Sequence, residues 1–168
     1  MVAVSQSEEQ QRARIEEILQ TVMDPEVPVL SVVELGVVRD VVIDQGIVRV
    51  SMTPTYSGCP ALERMREDIR EALLRNGFAQ VEVEIVFAPA WTTDWLSEEA
   101  KTKLKTYGIA PPNATCSSCA LTAPDPKVSC PQCDGNLTEM RSPFGSTACK
   151  SLYFCRGCQE PFEYFKAF

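Results

Sequence analysis

Apolar residues recur at helical spacing near the start of the chain and at alternate positions further on. The first pattern consists of Ile15, Ile18, Leu19 and Val22. It predicts a helix over residues 8–22, which ends before Pro25 because proline cannot continue a helix. Two alternating apolar runs, 37–43 and 47–53, flank the turn sequence Asp44-Gln45-Gly46. We predict that these runs form a β-hairpin.

The segment after the hairpin predicts a second helix and a third strand. Pro60 opens the helix, at a position where the missing N–H of proline costs nothing, and Asn76-Gly77 ends it. Residues 81–87 then alternate between apolar and acidic side chains, as a strand with one wet face does. A short helix over residues 97–107 follows. The order helix, strand, strand, helix, strand predicts a small α+β domain over residues 8–110.

The composition changes at the linker Pro111-Pro112-Asn113. From there on the chain is rich in cysteine, serine, proline and aromatic residues, and we predict a second domain over residues 111–168. This segment cannot bury a large apolar core of its own, so we expect a bound metal to supply much of its folding free energy.

Two Cys-x-x-Cys pairs in this domain predict one structural zinc ion. The pairs are Cys130 with Cys133 and Cys155 with Cys158. Two such turns aim four thiolates at one tetrahedral ion, and the segments 136–139 and 147–154 between them become ribbon strands. A closed four-thiolate site leaves no position for a substrate, so we expect this zinc not to catalyse. The predicted fold class is α+β, an α-β-β-α-β domain followed by a C-terminal four-cysteine zinc ribbon.

Three further cysteines of this domain fall outside those two pairs. Cys116-Ser117-Ser118-Cys119 is a third pair at the same spacing, and Cys149 stands alone. The favoured interpretation is that they are extra thiols, or that Cys116 and Cys119 compete for the same zinc. The alternative is a second or transient metal site completed by Cys149. A thioredoxin-like redox pair is less favoured, because no βαβ pattern surrounds the motif.

Charge and composition exclude several classes of function. The net charge is -7 and the pI is about 4.7, whereas nucleic-acid binders usually present a basic surface, so we expect no nucleic-acid partner. The chain has no histidine, which excludes a Ser-His-Asp triad, a Glu-x-x-His di-iron site and a histidine facial triad. With no bilayer-length apolar run and no secretory signal, we expect a cytoplasmic protein without a membrane partner.

Cys59 is separate from the cysteine-rich domain and directly precedes Pro60 at the predicted start of a helix. A helix N-terminus offers free N–H groups and partial positive charge, and both favour a thiolate. On that interpretation Cys59 is a metal ligand or a nucleophile at neutral pH. The alternative is a small buried apolar residue, since unpaired cysteines are often buried. The residues alone leave both interpretations open.

Three motifs of the first domain resemble the SufT-like iron–sulfur assembly family. They are Asp24-Pro25-Glu26, Glu34-Leu35-Gly36 and the strand that runs through Thr53 into Gly58-Cys59-Pro60. The resemblance covers about residues 12–90 and implies a small α+β domain linked to the assembly and carriage of iron–sulfur clusters. It also implies that Cys59 is the cluster cysteine. The residues expected in the loop region around it are Asp24, Glu34, Thr55 and Ser57.

Four longer segments extend the resemblance over nearly the whole chain. They are residues 53–60, 89–95, 144–150 and 160–166, and they are similar to the D subunits of phenylacetyl-CoA epoxidase systems. This family implies an accessory protein, not an enzyme on its own, of a bacterial multicomponent oxygenase in aerobic phenylacetate catabolism. The implied partners are the oxygenase and reductase components. The implied role is maturation through iron–sulfur delivery or repair.

The residues agree with that role by exclusion. Without histidine the chain cannot be the di-iron oxygenase component, and it has neither Gly-x-Gly-x-x-Gly nor the cysteine run of a plant-type ferredoxin. One thiolate cannot hold a transient iron–sulfur cluster alone, which leaves two hypotheses. A homodimer brings two copies of Cys59 together, or Cys116, Cys119 and Cys149 fold over its loop.

Two other functions compete with that of a cluster carrier. A purely structural subunit would dock through exposed aromatic side chains, although a position in the core is favoured for each candidate. The candidates are Trp91, Trp95, Phe162, Tyr164 and Phe165. A thiol enzyme would use Cys59 as nucleophile but has no imidazole base, so Asp94 or Glu34 would have to fold close to it.

Overall fold

The computed structural model describes residues 6–56, 58–112 and 128–167, and the chain divides into two compact units between Trp91 and Thr92. The described elements of the first unit are α1 (Gln6–Leu19), β1 (Val38–Asp44), β2 (Ile47–Met52), α2 (Leu62–Arg75) and β3 (Gln80–Ile85). Those of the second are a 3-10 turn (Thr93–Trp95), α3 (Glu98–Tyr107), β4 (Ile109–Ala110), β5 (Thr138–Ser142), β6 (Lys150–Cys155) and β7 (Pro161–Phe165). Both units combine helix and strand, which confirms the α+β class.

The division between the units lies nearer the N-terminus than the predicted boundary between residues 110 and 111. The reason is strand β4, which follows α3 directly and pairs in parallel with β7, Ile109 with Glu163 and Ala110 with Tyr164. This pairing joins α3 to the cysteine-rich unit. A strand of two residues is too short to show an alternating pattern, so the sequence does not predict it.

The sheet of the first unit has the order β1-β2-β3. Strands β1 and β2 form the predicted hairpin, because Gln45 and Gly46 both adopt a left-handed backbone with φ of 49° and 84°. Strands β2 and β3 are parallel, with α2 as the crossover between them. One face of β2 is buried, and on the other face Arg49 donates to Glu82 over 2.9 Å. The acidic side chains of β3 therefore lie on the wet face, as the alternation predicts.

Helix α2 begins two residues later than predicted, at Leu62. Residues 59–61 instead form a turn, in which the Cys59 N–H donates to the Tyr56 carbonyl (3.2 Å) and the Leu62 N–H donates to the Cys59 carbonyl (3.3 Å). The helix ends at Arg75, directly before the predicted Asn76-Gly77 stop, where Gly77 adopts a left-handed backbone with φ of 94°. Its buried stripe, which packs into the core of the first unit, is Met65, Ile69 and Leu73. Cys59 thus lies in a turn that leads into the helix.

The sheet of the second unit has the order β4-β7-β6-β5, with β6 antiparallel to both of its neighbours. Alternate residues of β6 face in opposite directions. The inward side forms a core that consists of Ala110, Val128, Cys130, Tyr153, Cys155, Phe162 and Tyr164. The outward side carries Leu152 and Phe154, which are half-buried. The described part of this unit therefore has one face over its small core and one face partly open to water.

Most of the aromatic residues suggested above as a docking surface lie in the interior. Trp91, Phe162, Tyr164 and Phe165 are all buried, and the Trp91 indole N–H donates to the Leu35 carbonyl over 2.9 Å. Docking through these four rings is therefore wrong, because they stabilise the two units from inside. Trp95 is half-buried. Among the described residues, the helices also fall short of what a bilayer crossing needs in length and apolarity.

Candidate functional site

The first Cys-x-x-Cys pair lies in a tight turn before β5. Within it the Asp134 N–H donates to the Cys130 carbonyl (2.9 Å), and the Cys130 N–H donates to the Gly135 carbonyl (2.9 Å). Asp134 adopts a left-handed backbone with φ of 56°, which lets the chain reverse directly after Cys133. Both sulfurs are therefore held on one side of the turn.

The second pair lies where β6 ends and the chain turns towards β7. The Cys155 N–H donates to the Glu160 carbonyl over 2.9 Å, which closes the turn around Cys158. Gln159 supplies the left-handed residue here, with φ of 62°. The two turns thus share one construction, although their sequences have only the cysteines in common.

The four sulfur atoms form a compact group. The Sγ atoms of Cys130 and Cys158 are 3.7 Å apart, as are those of Cys133 and Cys155, and all four lie within 4.8 Å of one another. Sulfurs placed about 2.3 Å from a tetrahedral zinc would be about 3.8 Å apart. All four cysteines are free, and the distances are far beyond a disulfide bond of about 2.05 Å. The donor set therefore fits one four-thiolate metal ion.

Backbone amides and burial act unequally on the four thiols. Hydrogen bonds that the backbone N–H groups of Cys158 and Gly157 donate to the Cys155 sulfur lower the pKa of Cys155 to about 7. Burial, together with the neighbouring sulfurs of Cys133 and Cys130, raises the pKa of Cys158 to about 12. Four sulfurs at this spacing do not ionise together in water, whereas a dication between them would stabilise all four thiolates.

Two glycines lie beside the sulfurs of this group. A Cβ atom added to Gly135 would lie 3.1 Å from Cys133 Sγ, and one added to Gly157 would lie 3.5 Å from Cys155 Sγ. The first distance is tighter than ordinary contact and the second is not. Gly135 is therefore a position with little room for a side chain, and the Cys-x-x-Cys pattern by itself did not identify it.

Of the three other cysteines of the second unit, the structure describes one, Cys149. Cys116 and Cys119 lie outside the described residues. Cys149 is buried, 3.0 Å from the Thr147 hydroxyl, and among the described residues the sulfur cluster consists of the other four cysteines alone. A second site completed by Cys149 therefore stays a prediction.

Cys59 has a different environment in the first unit. It is partly exposed, and its thiol interacts with the Thr55 hydroxyl and with the Ala61 N–H, both of which favour the thiolate. The carboxylates of Glu26 and Asp24 act on it from the turn after α1. Asp24 is itself buried and accepts hydrogen bonds from the N–H groups of Glu26 and Val27, each at 2.7 Å. Asp24 and Thr55, two of the predicted neighbours, thus lie within electrostatic reach of the thiol.

The balance of these effects differs from the expectation for a helix N-terminus. Burial, followed by the negative charges of Glu26 and Asp24, raises the pKa of Cys59 above the ordinary thiol value, although the Ala61 N–H opposes them. A thiol that is neutral next to two carboxylates is a poor nucleophile without help. A cation bound there would reverse this, since it attracts the thiolate and both carboxylates.

Of the two remaining predicted neighbours of Cys59, Glu34 has a structural role and Ser57 is not described by the structure. Glu34 forms a reciprocal capping box with Ser31, in which the Ser31 N–H donates to Glu34 Oε2 (3.0 Å) and the Glu34 N–H donates to Ser31 Oγ (3.1 Å). This arrangement explains Glu34 as a residue that fixes the turn before β1. Ser57 lies outside the described residues.

Comparison with known proteins connects both parts of the chain to named families. An iron–sulfur cluster assembly protein family matches residues 12–85, and the PaaD zinc beta ribbon domain family matches residues 113–166. The first match contains Cys59 and the second contains the four clustered cysteines.

Individual relatives extend the match over both units. A protein of Escherichia coli (strain K12), named as the D subunit of a "putative 1,2-phenylacetyl-CoA epoxidase", is 49% identical over 150 residues, which cover 89% of this chain and 88% of that protein. This chain belongs to the family of phenylacetyl-CoA epoxidase D subunits. The resemblance drawn from the sequence motifs is thereby confirmed, and this chain matches one family model in each of its two parts.

The first unit alone also has close relatives. This chain is 39% identical over 89 residues to a protein named "Fe-S protein maturation auxiliary factor" from Porphyromonas gingivalis, covering 52% of this chain and 84% of that protein. A crystal structure of a DUF59 domain from Bacillus anthracis matches with a TM-score of 0.55 and 32% identity, covering 58% of this chain and 94% of that one. Both relatives are thus matched over most of their own length by little more than half of this chain.

Proposed function

We propose that this chain is a cytoplasmic accessory protein of a phenylacetyl-CoA epoxidase in aerobic phenylacetate catabolism. In this proposal it has no turnover of its own and delivers or repairs an iron–sulfur cluster in the oxygenase or reductase component. Cys59 is the point of transfer, and the four ribbon cysteines hold one structural zinc. The observation that carries the proposal is the contrast between a complete, closed group of four sulfurs and a partly exposed, incomplete site around Cys59.

The assignment of zinc to the ribbon rests on the donor set. Cys130 and Cys155 are buried, and the sulfur spacing of 3.7 Å matches a tetrahedral ion with bonds of about 2.3 Å. Four thiolates leave no open position for water or substrate. A zinc ion held in this way stabilises the ribbon and takes no part in transfer.

The assignment of Cys59 rests on what surrounds it. One thiol with the carboxylates of Asp24 and Glu26 nearby offers sulfur and oxygen donors of the kind that bind iron. The set is too small to enclose a cluster, so a second copy or the receiving component must complete it. Incomplete coordination suits cargo that is held briefly and passed on. The name of the Porphyromonas gingivalis relative, a maturation factor, supports the same role for this domain.

The test is metal analysis of protein purified without oxygen. Zinc, iron and acid-labile sulfide per chain would be measured before and after reconstitution with ferrous iron and sulfide. We expect about one zinc in every case, with iron and sulfide that disappear in Cys59→Ser. Cys149→Ser should keep the zinc, because its thiol lies outside the sulfur cluster, and its iron and sulfide content tests whether Cys149 helps to complete the cluster at Cys59.

A double variant separates the two ways of completing the cluster. If Cys116→Ser combined with Cys119→Ser also abolishes iron, these cysteines fold over the Cys59 loop. If iron persists in this variant at one cluster for every two chains, and the loaded protein sediments as a dimer, then two copies of Cys59 share the cluster. Zinc alone, with no iron under any condition, would contradict cluster carriage and favour a structural role in docking.

A further inference from the structure

The outward face of the ribbon sheet carries an unusual combination of aromatic rings and cations. Phe154 lies on this face, since its neighbours Tyr153 and Cys155 point into the core. The Arg141 guanidinium lies over the Phe154 ring, 5.0 Å from its centroid. Arg141 and Arg156 both pair with the single carboxylate of Glu139.

This sharing leaves a surplus of positive charge. Two guanidinium groups bring two positive charges and about ten N–H donors, and one carboxylate balances half of that charge. Both arginine side chains are more than half exposed, at 55% for Arg141 and 69% for Arg156. A local excess of cations is notable on a chain with a net charge of -7. The donors not used by Glu139 face the solvent.

A second aromatic side chain stands on the same face. Glu163 pairs across the sheet with Leu152, so both point outward, and Glu163 accepts a hydrogen bond from the Ser146 N–H over 2.6 Å. The loop before β6 therefore lies over the outward face. Phe144, within this loop, is 62% exposed, and Lys166 Nζ lies 4.3 Å from the centroid of its ring.

The loop that presents Phe144 is held in place from beneath. Lys150, which is buried, pairs with Glu163 over 2.9 Å, and Lys166 Nζ donates to the Ala148 carbonyl over 2.7 Å. A Cβ atom on Gly145 would lie 2.7 Å from Glu163 Oε1, so a side chain at this position would displace the carboxylate that holds the loop. Such anchoring keeps an exposed ring in one position before any partner arrives, which lowers the entropy cost of binding.

We propose that this face binds an acidic protein segment that carries an apolar side chain, on the epoxidase component that receives the cargo. The face is defined by Arg141, Phe144, Phe154, Arg156 and Lys166, and is called the basic–aromatic face. Carboxylates of the partner accept from the two arginines, and its apolar side chain packs against Phe144. Aromatic and arginine side chains are the usual anchors of protein interfaces. The identity of the partner rests on the function proposed above, whereas the chemistry of the face does not.

The experiment measures binding of the full zinc-loaded chain to the purified oxygenase and reductase components. Phe144→Ser and Arg156→Glu should each weaken the Kd about tenfold or more, as the loss of an interface anchor does. The chain offers matched controls in its first unit. Phe87→Ser changes a ring that is 64% exposed, and Arg64→Glu changes an arginine that is 68% exposed and also paired with a carboxylate. Both controls should change the Kd less than about twofold.

The outcomes separate this inference from the proposed function. If the chain binds a component and the face variants bind as well as the controls, the basic–aromatic face is wrong while the accessory role stands. If the chain binds neither component, both fail. Cys59→Ser should bind normally while carrying no iron. The proposal would be overturned if the chain were retained on single-stranded DNA in a salt-dependent way and the face variants lost this retention. In that case the partner of the face is a nucleic acid and not a protein.

Discussion

The two thiol environments of this chain show how the same side chain is used for opposite purposes. In the ribbon, four sulfurs lie within 4.8 Å of one another, and backbone N–H groups of both turns point at them. In the first unit, Cys59 has one hydroxyl and one N–H in its favour and two carboxylates against it. The ribbon thus offers a complete set of ligands and the Cys59 loop offers a partial one.

The difference bears on whether a bound metal stays or leaves. A complete shell of buried thiolates makes release slow, because the protein would have to leave four close sulfurs without a cation. A partial shell at a surface must be completed by another molecule, and that molecule can keep the metal. The experiments that follow would break or sharpen this distinction.

The largest expected effect comes from removing one ribbon ligand. In Cys155→Ser the zinc content should fall from about one per chain to near zero, and the ribbon should lose its cooperative unfolding transition. Zinc binding supplies apparent folding free energies of about 10–16 kcal/mol in small zinc domains, so no other change in the ribbon should cost as much. Zinc analysis and calorimetry of the purified variant check this.

Cys149→Ser is the matched control for that variant. Both cysteines are buried in the second unit, but Cys149 lies outside the sulfur cluster. It should keep its zinc and lose a few kcal/mol of stability at most. Tight binding of one zinc by Cys155→Ser would contradict the site described above. It would mean that Cys116 or Cys119 can replace a ligand of the second turn.

A smaller effect on zinc affinity is expected when a methyl group is added close to a ligand sulfur. In Gly135→Ala the added Cβ lies 3.1 Å from Cys133 Sγ, so the turn must shift, at a cost of about 1 kcal/mol or more. Zinc affinity, measured by competition with a chromophoric chelator, should weaken about fivefold to tenfold. Gly157→Ala places its Cβ at 3.5 Å from Cys155 Sγ and should bind zinc nearly as well as the original chain. Equal losses in both variants would contradict the steric account.

The same contrast separates what the sequence predicts from what it does not. The Cys-x-x-Cys spacing identified the four cysteines that come together, because ligand geometry in a tight turn is a local property. The hairpin at Gln45-Gly46 and the helix end at Gly77 were also predictable, since both depend on left-handed residues. Strand β7 was missed although Phe162 and Tyr164 alternate with Glu163, because a single segment of five residues gives a weak signal beside a metal motif.

The chemistry around Cys59 could not be predicted in the same way. The local sequence indicates a helix N-terminus, which lowers the pKa of a thiol. In the fold, burial of Cys59 and then the charges of Glu26 and Asp24, which come from a distant turn, raise its pKa instead. Likewise, Glu163 and Gly145 are separated in sequence but meet beneath the loop that presents Phe144. Spacing along the chain carries no information about such pairs, so their discovery requires coordinates.

The smallest expected effect concerns the reactivity of Cys59 in protein that carries no iron. The charge of Glu26 raises the pKa of this thiol, so Glu26→Gln should lower that pKa and increase the thiolate fraction at every pH below it. Alkylation by iodoacetamide at pH 7.5, followed on the Cys59 peptide by mass spectrometry, should then become about twofold to threefold faster. The pH profile should move to lower pH without changing its plateau.

The control for this charge effect is Glu63→Gln, which removes an exposed carboxylate from the first turn of α2. It should change the alkylation rate less than Glu26→Gln does, because Glu63 is not among the largest influences on the pKa of Cys59. Iron loading should respond in the opposite direction, since Glu26→Gln removes a donor while making the thiol more reactive. A variant with faster alkylation and weaker iron binding would therefore show that the carboxylate serves the metal at the expense of the thiol, whereas faster alkylation with unchanged iron would remove Glu26 from the ligand set.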